Sequence, residues 1–137
     1  MPHLLDTNCC IRHLRSPSKS PLSGRLAGQV YGAIVLCSVV KAELLFGALY
    51  GQQPQKELAK LEAFFGLFPS LPFDDQAAEE YAKIRSVLTA QGTLIGPNDL
   101  LIAALALAHD LTLVSHNTGE FRRVPGLRVE DWEAELG

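Results

Sequence analysis

The sequence predicts an α/β layered domain, with a mainly parallel sheet of about five strands covered by helices on both faces. Two observations carry this expectation. Short apolar runs alternate along the chain with stretches whose apolar residues recur every three or four positions, the pattern of strands joined by helical crossovers. One of the runs, AIVLC at residues 33–37, is apolar throughout, as in strands buried on both faces.

The elements follow in order. Residues 2–6 read as a short strand leading into a helix over 8–14, which the Pro- and Ser-rich stretch 16–20 breaks. A second helix is expected over 21–31, then the strand 33–37. Ser38 is placed to cap the next helix, which should turn Val40, Leu44, Leu45, Ala48 and Leu49 inward and stop near Gly51. After Pro54, the spacing of Leu58, Leu61, Phe65 and Phe68 is that of an amphipathic helix. Residues 71–73, flanked by prolines, suggest a strand. Ala77, Tyr81, Ile84 and Leu88 form the apolar stripe of a further helix ending at Gly92. Pro97 suits the first position of a helix that is apolar nearly all round through Ala108, and so belongs to the core. Residues 111–114 and 127–129 supply the last two strands.

The chain has 137 residues, 47% hydrophobic and 20% charged, enough for one domain, residues 1–137, with its own core and no linker or low-complexity segment. The opening residues lack a signal-peptide pattern, and the longest apolar run, residues 100–108, is too short to span a bilayer, so a cytoplasmic protein without a membrane anchor is expected. Cys9, Cys10 and Cys37 are an odd number in no metal-binding spacing and read as reduced, buried small residues. A net charge of −3 gives no global attraction to nucleic acid, so a polyanion would have to be held locally. Arg12, His13, Arg15 and Lys19 form one small basic cluster and Arg122 with Arg123 another, each also readable as a solvated face.

Three acids stand where elements begin or end: Asp6 in LLDTN, Glu43 in SVVKAELLFG and Asp99 in GPNDLLIAA. Carboxylates are costly to bury, and three of them set among leucines suggest a shared divalent cation. In open parallel sheets, ligand sites lie at the carboxyl ends of the strands, and a sheet can bring all three to one rim. Each also has a plain structural role open to it. Asp6 can cap a helix, Asp99 can complement a helix dipole, and Glu43 can pair with Lys41.

The blocks LLDTN (4–8), SVVKAELLFG (38–47), GPNDLLIAA (96–104) and LVSHNTGEF (113–121), followed by LRVEDW (127–132), resemble in order those of PIN-domain proteins. Within that superfamily they are most similar to the toxin ribonucleases of VapBC toxin–antitoxin pairs. The resemblance implies an endoribonuclease in which Asp6, Glu43 and Asp99 hold Mg²⁺ or Mn²⁺. It places Thr7, Asn8 and Ser38 as polar residues lining the pocket, alternatively as helix caps. It also implies a homodimer, an RNA substrate, and silencing by a cognate VapB-type antitoxin whose tail crosses the active-site groove. The fourth acidic position departs from the pattern. Where many relatives have Asp, this chain reads Ser115-His116-Asn117-Thr118-Gly119-Glu120. Asn117 is the preferred match there, with Thr118 and Glu120 as further polar candidates.

Two other classes fit parts of the pattern. A phosphatase or phosphotransferase would use Asp6 as nucleophile, but Asn8 stands where the second Asp of haloacid-dehalogenase-like enzymes is expected. A receiver-like module would bind a metal or partner without catalysis. Of the four histidines, His116 is nearest the expected rim, with a structural or solvated role favoured over catalysis. Trp132 and Tyr50 are better suited to packing than to stacking a base.

Overall fold

The computed structural model describes residues 2–134. Its centre is a five-stranded parallel sheet built from β1 (His3–Leu5), β2 (Ile34–Cys37), β3 (Ser70–Leu71), β4 (Thr112–Val114) and β5 (Val129–Glu130), in the order β3-β2-β1-β4-β5. The register sets Leu4 between Val35 and Leu113, and Val114 beside Glu130. Seven helices connect and flank the strands: α1 (Thr7–Arg15), α2 (Pro21–Ala27), α3 (Ser38–Tyr50), α4 (Pro54–Phe65), α5 (Asp75–Gln91), α6 (Pro97–Ala108) and α7 (Thr118–Phe121). The chain moves outward from β1 through β2 to β3, then returns to β4 on the other side of β1. That reversal makes the seam between β1 and β4 the topological switch point.

The core explains why the elements lie as they do. All four residues of β2 are buried, and α6 buries Leu100, Ile102, Ala103, Ala104, Leu105 and Ala106, as its nearly uniform apolar sequence requires. Gly92 closes α5 with φ +69°, a left-handed cap that other residues adopt only at a cost. The three cysteines are free and buried. Among the described residues, no helix is long and apolar enough to cross a membrane.

Several expectations need correction. Ser38 is the first residue of α3 rather than its cap; Cys37 holds the cap position, and the Ser38 hydroxyl instead accepts the Phe73 amide at 3.0 Å. Leu45 and Leu49 do not face inward but are 37% and 61% exposed, because Val40, Leu44 and Ala48 alone suffice to seat α3. The second helix stops at Ala27, four residues early, and Phe68 lies beyond the end of α4. The third strand is Ser70–Leu71 rather than 71–73, pairing with Leu36 and Cys37, and the fifth is Val129–Glu130 rather than 127–129. The short α7 had no periodic signal to announce it. Trp132 packs in the core as expected, with its indole N–H donating to Glu130 at 2.9 Å and Arg25 over its ring at 4.8 Å.

Candidate active site

Four carboxylates meet at the carboxyl-terminal rim of the sheet, around the switch point. Asp6 is the residue directly after β1 and is 3% exposed. It does cap α1, accepting the Cys9 amide on Oδ1 at 2.8 Å, and its own backbone amide donates to the Val114 carbonyl of β4 at 3.1 Å. Capping and site membership are therefore compatible: one oxygen and the backbone fix the residue, and Ser115 bonds the carboxyl as well. Burial pushes the Asp6 pKa upward against these hydrogen bonds, with Glu43 adding to the rise.

Glu43 projects from the second turn of α3. It does not pair with Lys41, whose ammonium sits 4.9 Å over the Phe65 ring. Instead the Thr7 hydroxyl donates to Glu43 Oε1 at 2.6 Å, joining α1 to α3. Asp99 occupies the first turn of α6, half-buried, and its pKa is raised to about 7. Burial is the main cause, followed by the charges of Glu120, Asp6 and Glu43 and by a hydrogen bond shared with Glu120. Asp99 on α6 thus feels three other acids, carried by the end of β1, by α3 and by α7.

Glu120 reaches this group from α7. The Gly96 amide donates to its Oε1 at 2.6 Å, and the Asn117 side-chain amide donates to its Oε2. A Cβ at Gly96 would lie 3.4 Å from Glu120 Oε1 and 3.9 Å from Asp99 Oδ2, ordinary contact distances, so both carboxylates lie against this stretch of backbone. Asn117, in turn, holds Glu120 rather than facing Asp99, and its backbone amide donates to Ser115 Oγ at 2.9 Å. Thr118 begins α7 and Asn8 is exposed on α1; neither makes a side-chain hydrogen bond among the described residues. Ser38 lies on the α3 side of the rim, engaged with Phe73. His116 is turned toward Asp131, Nδ1 to Oδ2 at 3.0 Å, with its ring 70% exposed.

Sequence reasoning passed over two residues of this arrangement. Ser115, the Asp6 partner, is the first residue beyond β4, just as Asp6 is the first beyond β1, and that symmetry was the available signal. Gly96 acts through its backbone amide, which leaves no side-chain trace.

None of the ion pairs among the described residues involves Asp6, Glu43, Asp99 or Glu120. Among the same residues, no group of three or more His, Cys, Asp or Glu side chains is arranged closely enough to hold a metal ion together. All the donors are hard oxygens, and no basic side chain among the described residues pairs with them, a set whose chemistry suits Mg²⁺ or Mn²⁺.

A model of the PIN domain family matches residues 3–127. The chain therefore belongs to the PIN-domain family, in its VapC ribonuclease branch. It is 39% identical over 129 residues to the tRNA(fMet)-specific endonuclease VapC of Shigella flexneri, covering 94% of this chain and 96% of the relative. Ribonuclease VapC2 of Rickettsia felis is 32% identical over 133 residues, covering 97% and 99%. Among solved structures, VapBC2 from Rickettsia felis bound to a promoter DNA fragment superposes with a TM-score of 0.88 at 31% identity, over 96% of this chain and 99% of that one. These matches set the chain among nucleases rather than phosphatases or receiver domains.

Proposed function

We propose that this chain is the toxin of a toxin–antitoxin pair, an Mg²⁺- or Mn²⁺-dependent endoribonuclease that hydrolyses RNA phosphodiester bonds. The observation that carries the reading is the rim of Asp6, Glu43, Asp99 and Glu120, four acids without a basic partner among the described residues. Such a cluster repels a phosphodiester unless a cation intervenes. Asp6, Glu43 and Asp99 are the residues to hold the ion, with Glu120 as the fourth acid and Asn117 as its positioning partner. A bound divalent ion supplies positive charge for the phosphate oxygens and a more acidic water as nucleophile.

The chain's own contribution is orientation. Thr7 holds Glu43; the Cys9 amide and Ser115 hold Asp6; the Gly96 amide and Asn117 hold Glu120. Carboxylates fixed in this way lose little freedom when substrate arrives, and positioning of that kind supplies much of an enzyme's rate. Thr118, Asn8 and Ser38 complete the polar surroundings.

The names of relatives from Shigella flexneri and Salmonella typhimurium specify tRNA(fMet), which makes initiator tRNA the first substrate to test. The solved VapBC complexes support a VapB-type antitoxin as partner. The reading is completed by a single domain, residues 1–137, that forms a homodimer and acts in the cytoplasm. Purified protein should cut RNA in Mg²⁺ or Mn²⁺ and stop in excess chelator. Asp6→Asn or Asp99→Asn should lower cleavage by several orders of magnitude with the fold retained. Full activity in chelator would overturn the metal-dependent reading.

A further inference from the structure

Between α3 and α6, the two helices that carry Glu43 and Asp99, lies an open cleft of about 650 Å³. Glu43 is part of its wall, Ala42 and Leu101 contribute apolar surface, and Phe46, Ser38 and Asn98 also line it. Phe46 stands three residues beyond Glu43, on the same side of α3, and is 65% exposed. Its ring stacks on that of Tyr50, itself 82% exposed, with centroids 5.5 Å apart and planes inclined by 19°. Burial in the core does not account for two rings left this open.

The polar groups of the cleft suit a ligand with hydrogen-bonding edges. The Asn98 amide has no hydrogen-bond partner among the described residues and offers both a donor and an acceptor. Ser38 Oγ accepts the Phe73 amide, which leaves its O–H to donate. An aromatic face, an apolar floor and a free amide are the means by which proteins hold an unpaired base, stacking its plane and reading its edge. An unpaired base fits the cleft better than a peptide does, because flat rings and an amide edge match a base's two faces of recognition, and the acid that lines the cleft belongs to the proposed cleavage site. RNA must pass that carboxylate to be cut.

We infer that the cleft between α3 and α6 binds one unpaired nucleobase beside the scissile bond, stacked on Phe46 and read by Asn98; this rests on the ribonuclease reading above. The test starts from total tRNA digested by the intact protein in Mn²⁺, with the cut bond located by sequencing 5′ ends. Oligoribonucleotides spanning that bond are made intact and with a single abasic residue at each flanking position. They are assayed with the parent, Phe46→Ala, Phe46→Trp and Asn98→Ala, each checked for an unchanged melting temperature.

One abasic position should raise the parent's KM about tenfold or more, the scale of a lost base–aromatic stack. Phe46→Ala should raise KM on the intact RNA by a similar factor and be nearly indifferent to that abasic position, whereas Phe46→Trp should keep the parent's KM. Asn98→Ala should reduce discrimination among bases there. The pocket is overturned if Phe46→Ala leaves KM unchanged, if the abasic penalty is as large in Phe46→Ala as in the parent, or if Phe46→Ala loses only dimer or antitoxin binding. Failure of the parent to cut any RNA would sink the ribonuclease reading first and the pocket with it.

Discussion

Asp99 is the residue most affected by its neighbours. With its pKa at about 7 in the metal-free fold, against 3.8 for an ordinary Asp, it keeps a proton that the unfolded chain has already released. Metal-free stability from this group is therefore fully present below about pH 4, is lost as pH rises, and levels off above about pH 7. Asp99→Asn should melt higher than the parent in chelator, by a few degrees at pH 8 and by much less at pH 5, with Mn²⁺ narrowing the gap. Calorimetry at both pH values checks this; equal melting at pH 8 would mean that the acids do not repel as described. At the fourth position, Glu120→Gln should lower cleavage by about tenfold or more and weaken Mn²⁺ binding. Asn117→Ala should do so less, since it frees Glu120 without removing its charge. Titration of Mn²⁺ into both variants separates them. That Asp6, Glu43 and Asp99 come together was legible because carboxylates among leucines are rare, whereas the hydrogen bond that ties Asn117 to Glu120 was not. One helical turn brings Glu120 back over Gly96, and no periodic pattern announces a four-residue helix.

Among the elements, α3 shows how far a sequence pattern reaches. Its apolar residues lie nearly all round, so hydrophobicity alone could not say which ones face the sheet. The structure divides them: Val40, Leu44 and Ala48 anchor the helix, while Phe46, Leu49 and Tyr50 are left open. Leu44→Ala should cost about 2–4 kcal/mol of stability, the usual range for a truncated core leucine, and Leu49→Ala less than about 0.5 kcal/mol. Urea titrations of the two variants test the division directly, and similar midpoints would contradict it. By contrast α6 was legible from end to end, since Pro97 fixes its start and its nearly unbroken apolar run admits only a core position.

The whole molecule was readable at the level of layers. Alternating strand and helix signals define a parallel α/β sheet, and the right-handed crossover rule leaves few ways to arrange it. Strand ends were less certain because β3 and β5 are each only two residues long, held by neighbours rather than by their own sequence. The strand order then decides where the acids meet, since only a sheet with β1 next to β4 sets Asp6 against Ser115.

That adjacency of β1 and β4 has a consequence for the timing of synthesis. More than one hundred residues separate Asp6 from Glu120, roughly 5–20 s of translation at about 5–20 residues per second. Until β4 and α7 leave the ribosome, β1 lacks a neighbour on one side and the fourth acid is missing. A nascent chain of this kind carries Asp6 and Glu43 for seconds before Asp99 and Glu120 exist to join them. The machinery that makes the enzyme therefore meets the complete rim only once residue 120 has been added.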